Sequence, residues 1–517
     1  MRKRMSSTLL PVHPEGESNV PSLTDVTAPI EVDTFDGKVQ VDWDPDTKVT
    51  ALGQLPFFIQ FLKLGQRFDP WIGACPLAYK SNNASSTRDI LGSIFLSVLS
   101  GHTRYAHIGT LTHDSVNKQL LGMSKVVSDD TVRRALKSID EEQGIGWLQS
   151  HLSACYEPLL KVPWILDIDV TVKPLYGHQE FAVKGYNPHK PGRPCQTFHT
   201  YMIANLRLIL DVEVQPGNLG SASHSLPGLI TILDKLPVNN RPAFVRGDCD
   251  WGSDNVMCEL EQKHYRYLFK MKKTKKVKQL IYAHHKRSGW PLFKKGWETK
   301  EAELKLSTWD RSRRVVLVRR QLKSPTNLVV EHGQNEQLSL SFVEGPENIK
   351  IFEYSVLVTN LDDEMMSIVQ HYRDRADCEN NFDELKNQWG WGGYTTHKVK
   401  SCRFISRIIA LVYNWWTLYV RLLMPDTHLE AITSRPLLLS SVGRLTETSR
   451  QKKISITSSH HKKEKLKVAY SHVSLFFNGL KGTAPQLSIS ACWQMILDKI
   501  ITLMGVGVNN IEQKIPP

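Results

Sequence analysis

Between residues 88 and 160 apolar side chains recur at helical spacing, as in Ile90, Ile94, Phe95, Val98 and Leu99, so helices with one dry face are predicted there. Ser128 is placed to cap a short helix running Asp129-Asp130-Thr131-Val132-Arg133-Arg134, with Val132, Leu136 and Ile139 facing inward. Such an orientation leaves Thr131, Arg133, Arg134 and Lys137 for solvent or a partner. After Lys161 the period shortens to two. Val162 to Val172, Thr197 to Arg207 and Leu208 to Val214 read as strands of an antiparallel meander, closed by the turn Pro216-Gly217-Asn218. A helix over roughly 223–236 follows, then a short strand from Ala243 to Arg246 that stops at Gly247-Asp248, and one more strand from Tyr265 to Met271.

From Lys272 to about Asn348 charged and β-prone residues alternate, as in Arg314-Val315-Val316-Leu317-Val318-Arg319-Arg320, which predicts a β-rich insertion with a basic surface. Core texture returns at 352–360, followed by one long helix from about Asp363 to Trp389 and a helical pattern to about Leu423. The expected division is a loosely ordered arm over 1–50, rich in Pro, Ser, Asp and Glu, and a helical region over 51–160. One core follows in two parts, 161–271 and 349–425, with the insertion at 272–348 between them and a basic helical tail at 426–517. Strand, strand, strand, helix, strand is the order of the ribonuclease H-like fold. The fold class expected is therefore α/β: a ribonuclease H-like catalytic core interrupted by a β-rich insertion, with a helical N-terminal region and a helical C-terminal tail.

Composition narrows the function. Hydrophobic residues make up 41% and charged residues 23% of the 517, which fits a soluble globular protein and not a fibrous or mainly disordered one. Lys and Arg number 65 against 52 Asp and Glu, a net charge of +13 that favours a polyanionic partner such as nucleic acid. Eight Cys without any CxxC spacing argue against a zinc site or a disulfide scaffold and fit a reducing cytoplasm. The stretch from Ile405 to Met424 carries Arg407, Asn414 and Arg421, so it reads as a buried helix and no membrane partner is expected. His284-His285 and His460-His461 lack the helical spacing of a zinc pair and read as surface residues.

Tyr372, Arg375, Glu379 and Lys386 stand at offsets 0, 3, 7 and 14; on one continuous helix they fall within roughly 60° of each other around the axis. A carboxylate flanked by cations and a phenol suits a site where Glu binds a metal and its neighbours hold phosphates. The same stripe equally serves a solvated face with i,i+4 ion pairs, in which Asp383 would take part.

The four residues match Tyr-x2-Arg-x3-Glu-x6-Lys at every position, and in this the chain resembles a large group of bacterial insertion-sequence transposases of the DDE type. Leu166-Asp167-Ile168-Asp169-Val170-Thr171, with Tyr176-Gly177-His178-Gln179-Glu180 after it, is similar to the first catalytic block of that group, and its register points to Asp169. Phe244-Val245-Arg246-Gly247-Asp248-Cys249-Asp250-Trp251 is similar to the second and points to Asp248. Asp167 remains a rival because two residues along a strand return to the same face, and Asp250 because the group usually has Gly there.

The resemblance implies a transposase that cleaves element ends and transfers strands into target DNA. Asp169, Asp248 and Glu379 would be its catalytic and metal-binding residues, holding two Mg²⁺ with Mn²⁺ as a substitute, since hard oxygen ligands suit those ions. Tyr372, Arg375 and Lys386 would touch DNA phosphates, and Arg133 and Arg134 would belong to a recognition helix. One of Trp290, Trp297 and Trp309 would stack on a displaced base. The implied partners are double-stranded DNA, comprising terminal inverted repeats and target, and a second copy of the chain; the implied location is the bacterial cytoplasm, on the nucleoid. A metal-dependent nuclease without strand transfer and a catalytically silent DNA-binding protein descended from a transposase share most of these features.

Overall fold

The computed structural model describes residues 29–79, 83–188, 190–285, 287–322, 352–449, 451–457, 462–483 and 489–512. Two compact units divide the chain, Met1–Lys48 and Val49–Pro517. In the first, β1 (Ile30–Thr34) and β2 (Gly37–Val41) form an antiparallel hairpin exposed along its length. This is more order than the sequence led us to expect of the arm. A short strand, β3 (Lys48–Thr50), follows.

The second unit opens with six helices: α1 (Leu55–Leu64), α2 (Phe68–Gly73), α3 (Thr87–Leu99), α4 (Ser115–Leu120), α5 (Asp129–Ser138) and α6 (Glu141–Tyr156). At α5 the Ser128 hydroxyl accepts the Thr131 N–H at 3.3 Å, while Asp129 and Asp130 in the first turn and Lys137 in the last suit the helix dipole. Val132, Leu136 and Ile139 are buried, as the periodicity requires.

Among the described residues the central sheet has ten strands. β4 (Ile165–Pro174), β5 (Val183–Lys184), β6 (Pro194–Ile203) and β7 (Leu208–Pro216) pair antiparallel, with β6 between β4 and β7. Helix α7 (Ala222–Lys235) then leads to β8 (Phe244–Gly247), which runs parallel to β4, and α8 (Asp254–Gln262) leads to β9 (Tyr267–Lys270), parallel to β8. Beyond β9 come α9 (Lys275–His285), β10 (Leu292–Lys294), β11 (Trp297–Leu304), β12 (Arg313–Gln321) and β13 (Phe352–Thr359). The resulting order is β10-β11-β12-β13-β9-β8-β4-β6-β5, with β7 on β6.

Two expectations change here. The segment after Lys272 opens with helix α9, and its strands β10 to β12 continue the same sheet through β13, so its described part does not form a separate layer. Val315 and Leu317 pack into the main core while Val316 and Val318 pack into a second one, so this stretch is buried on both faces.

That division holds across the whole sheet. Leu166, Ile168, Val245, Tyr267, Phe269, Val356 and Val358 join the large core on one face; Ile165, Phe244, Leu268 and Leu357 join the smaller core on the other. Alternation along a strand is the cause. Covering the smaller core is α10 (Met365–Arg373), through Ile368 and Val369.

The long helix expected from 363 to 389 is in fact two, α10 and α11 (Ala376–Asn387). Asp374 N–H still bonds four residues back to the Gln370 carbonyl at 3.0 Å, but Arg375 N–H bonds three back to Tyr372 at 3.1 Å, so the helical ladder slips at that point. Tyr372 therefore precedes the break and Arg375 stands at it, so the four signature residues do not lie on one continuous helix.

Helix α12 (Val399–Leu423) is buried almost throughout and contains the apolar stretch noted in the sequence. Its polar residues seal the β7 edge: Asn414 accepts the Ile209 N–H and donates to the Ile209 carbonyl, both at 2.8 Å, and Arg407 pairs with Asp211 at 2.7 Å. Among the described residues no helix is long and apolar enough to cross a membrane. The C-terminal part is not purely helical, because the hairpin β14 (Gly443–Thr448) and β15 (Gln451–Ile456) stands between α13 (Ala431–Leu438) and the last two helices, α14 (Lys463–Thr483) and α15 (Ile489–Glu512).

Candidate active site

Asp167 and Asp169 share a face of β4 with Ile165, and Arg246 and Asp248 share the corresponding face of β8 and its end with Phe244. The strands are parallel, with Asp167 opposite Arg246. Asp248 follows directly on the end of β8, near enough to Asp169 for the two charges to act on each other. Because α10 packs on this same face, its C-terminal end delivers Tyr372 and Arg375 to the two carboxylates.

The rivals separate by their partners. Asp167 is 1% exposed and accepts two hydrogen bonds from the Arg246 guanidinium, at 2.6 and 2.7 Å. Arg246 also donates to the His371 carbonyl, which ties β4, β8 and α10 together. Asp250 pairs with Lys272 at 2.5 Å, and its N–H donates to Asp248 Oδ1 at 3.0 Å, so its own carboxylate turns toward Lys272. Gly247 keeps the corner open: a Cβ there would lie 2.8 Å from the Trp251 ring.

Arg375 is the hinge of the cluster. Its guanidinium donates to Asp169 at 3.3 Å and to Glu379 at 2.6 Å, and its own side chain is almost fully buried. Glu379, one turn into α11, is 64% exposed. The oxygens of Asp169, Asp248 and Glu379 do not all lie within 4.8 Å of one another. Arg375 lies between two of them and supplies the positive charge.

The electrostatics fit a cation site. Burial pushes the Asp169 carboxyl up to about 6; Arg375 opposes this, while the charges of Asp248 and Glu379 add to it. Asp248 is raised as well, first by burial, with the Asp250 N–H and Arg375 opposing. The Tyr372 phenol is pushed up by burial, with Arg375 opposing and Asp248 and Glu379 adding, which puts the phenol inside the same cluster. Three carboxylates facing one guanidinium leave an excess of negative charge, and their hard oxygen atoms are the donors a small divalent cation requires.

The other sequence candidates are more dispersed. Lys386 lies seven residues beyond Glu379, two turns along α11 and on nearly the same side, and is half-buried. Arg133 pairs with Asp129 at 3.0 Å and Asp130 at 3.3 Å, and Arg134 is exposed; both lie on α5, apart from the carboxylates in sequence and element. Trp309 is buried under Arg313, whereas Trp290 and Trp297 are half-buried, with Arg319 4.2 Å from the first and Arg373 4.6 Å from the second. His285 is not a free surface residue, since its Nδ1 bonds the Tyr354 hydroxyl at 2.7 Å, and His284 is half-buried; His460 and His461 lie outside the described residues.

Sequence reasoning missed Arg246 and Lys272, the cations that occupy Asp167 and Asp250. The signal for Arg246 was its place two residues before Asp248 on a strand, which sets both on one face. A further set of donors, Asp254, Cys258 and Asp310, comes within 4.8 Å, but Arg313 bonds all three, at 2.7, 3.2 and 3.0 Å, and fills the position a cation would take.

A search of curated proteins finds no match. Among solved structures, a piggyBac transposase synaptic complex with hairpin DNA, determined by cryo-EM, is 12% identical with a TM-score of 0.37 over 89% of this chain and 88% of that one, too loose a likeness for inference about residues. The model of the family described as transposase DDE domain group 1 matches residues 77–476, a span that includes all three carboxylates, and the DDE domains of such transposases use divalent metal ions. The chain belongs to this family and is a DDE-type transposase enzyme.

Proposed function

We propose that this transposase cleaves the ends of its element and joins them to target DNA, by cut-and-paste transposition, with Asp169, Asp248 and Glu379 as the catalytic and metal-binding carboxylates. The observation that carries the reading is Arg375 joined to both Asp169 and Glu379, with Asp248 near enough for its charge to act on Asp169. Order β7-β6-β4-β8-β9, with the last two parallel to β4, supports a ribonuclease H-like core. The Tyr372, Arg375, Glu379 and Lys386 spacing supports the bacterial insertion-sequence subgroup.

Two Mg²⁺, or Mn²⁺ in their place, would supply activation of the attacking oxygen and support of the leaving one. Asp169 sits on β4 and Asp248 directly follows β8, so both offer oxygens positioned by the sheet. Glu379 is exposed on a helix beginning at a break in the ladder, so it has room to approach them. Arg375 pairs with Asp169 and Glu379 and is placed to turn to a phosphate when those carboxylates hold a cation. Tyr372, in the same charge cluster, and Lys386, two turns along α11 from Glu379, would contact DNA phosphates. Water attack would free a 3′-hydroxyl at the element end, and attack by that hydroxyl on target DNA would join the strands. The partners are the terminal inverted repeats, the target duplex and a second protomer that holds the other end.

The test is a labelled DNA end of the encoding element, mixed with supercoiled target and MgCl₂. Cleavage and joined product are expected from the native chain, and neither from Asp169→Ala, Asp248→Ala or Glu379→Ala. Cleavage without joining would reduce the function to a nuclease, and a variant that still cleaves would remove its residue from the site.

A further inference from the structure

Burial is costly for a carboxylate, yet Glu384 is 2% exposed on the inner side of α11, five residues after Glu379. Donors surround it. Its Oε1 accepts the Trp389 indole N–H at 2.9 Å and the Ala431 N–H at 2.8 Å, and His428 Nε2 lies 3.3 Å from its Oε2. Ala431 opens α13, so the positive end of that helix adds to the attraction. Three residues earlier on the same inner side, Asn381 is 1% exposed; it accepts the Tyr413 hydroxyl of α12 at 2.9 Å and donates to the Met202 sulfur of β6 at 3.0 Å. We infer, building on the reading of Glu379 as a metal ligand, that Glu384 and Asn381 are positioning residues for that carboxylate: they set the rotation of α11 about its axis and so aim Glu379 at the cation.

The break before α11 creates the need for such residues. A continuous helix hands its rotational phase from turn to turn, but the ladder slips at Arg375, so α11 does not inherit its phase from α10. Phe382 and Leu385 also face inward, but apolar contact is non-directional and tolerates rotation. Hydrogen bonds weaken steeply as they bend, so the bonds of Asn381 and Glu384 resist it. On a helix about 10–12 Å across, a rotation of about 20° carries a side-chain tip roughly 2 Å. A misplacement of about 1 Å already costs on the order of a hundredfold in a catalytic site.

Of the three acids, Glu379 is the one that depends on a helix for its aim. The sheet positions Asp169 and Asp248, whereas Glu379 is 64% exposed and pairs with Arg375. The far end of α11 is tied down in turn. Gln388 accepts the Ile432 N–H at 2.7 Å, and Arg435 donates to the Gln388 carbonyl at 2.6 Å and to the Val98 carbonyl of α3 at 3.1 Å. Arg435 also covers the Trp389 ring at 4.0 Å. Glu384 therefore links α11 to α13 directly and, through Trp389 and Arg435, to α3.

The experiment measures Mn²⁺ binding by the full chain without DNA, from the loss of the free-ion electron paramagnetic resonance signal. Glu384→Ala should weaken binding about tenfold or more, the usual effect of removing a residue that orients a metal ligand. Glu384→Gln, which keeps an oxygen for Trp389 and Ala431, should restore most of the loss. Asn381→Leu, which keeps the volume and removes the directional bonds, should weaken binding in the same direction, and it carries the test if circular dichroism shows Glu384→Ala unfolded. In a Glu379→Ala background neither change should weaken binding further, because no carboxylate remains to be aimed, whereas a general loss of structure would weaken it in both backgrounds. Unchanged affinity in the folded variants, or equal losses with and without Glu379, overturns the positioning role alone. Unchanged affinity in Glu379→Ala itself overturns the reading of Glu379 as a metal ligand, so the two failures are distinguishable.

Discussion

Asp169 is held in the folded chain in a form that disfavours its own charge, and replacing it with Asn should therefore stabilise the protein without metal. Its carboxyl rises from 3.8 to about 6, chiefly through burial. At about 1.36 kcal/mol per pH unit, this amounts to at most about 3 kcal/mol. The folded value lies above the unfolded one, so the favourable contribution is full below about pH 4 and is lost as pH rises through 6. At pH 7.5 in EDTA, Asp169→Asn should accordingly exceed the native chain by about 1–3 kcal/mol. Unfolding entropy near 2.1 cal/mol/K per residue converts this, for 517 residues, to roughly 1–3 °C in melting temperature. Scanning calorimetry at pH 7.5 and pH 5 should show the advantage at the first and roughly half of it at the second. MgCl₂ at pH 7.5 should raise the native chain and leave the variant nearly unmoved. An Asn variant less stable than the native chain at pH 7.5, or one that responds equally to MgCl₂, would refute the reasoning.

Asp167→Ala should behave in the opposite way, losing about 3–5 kcal/mol in chemical denaturation at pH 7.5, because Arg246 is left buried without its counter-charge. Glu379→Gln should unfold within about 0.5 kcal/mol of the native chain, since the side chain is largely exposed, yet cleave about a thousandfold more slowly in a Mg²⁺ end-cleavage assay, the loss expected when several kcal/mol of metal-supported catalysis disappears. Arg313→Met should cost about 3–5 kcal/mol by removing the buried guanidinium that pairs with Asp254, Glu261 and Asp310, and MnCl₂ should restore part of that stability in the variant but not in the native chain, read by the same denaturation curve.

Much of the chain's local structure was legible in its letters. Period-two patterns placed β4, which carries Asp169, and β8, which ends just before Asp248, to within a few residues, because that signal is local and depends only on strand geometry. Ser128 and the apolar residues after it likewise defined α5.

What the letters left open were questions of contact between distant residues. Asp167 and Asp169 are equivalent on a strand; only the parallel pairing with β8 sets Arg246 against Asp167 and leaves Asp169 facing Asp248 and Arg375. Asp250 resembled a ligand until Lys272, from beyond β9, paired with it. The break at Arg375 cannot be read from composition, since no Pro or Gly marks it; it goes with a guanidinium drawn between two carboxylates supplied by a strand 206 residues away and by the next helical turn. Local propensity decides which elements form, whereas the partner of a buried charge is fixed by which faces the sheet and helices bring together, and that is a property of the packed chain.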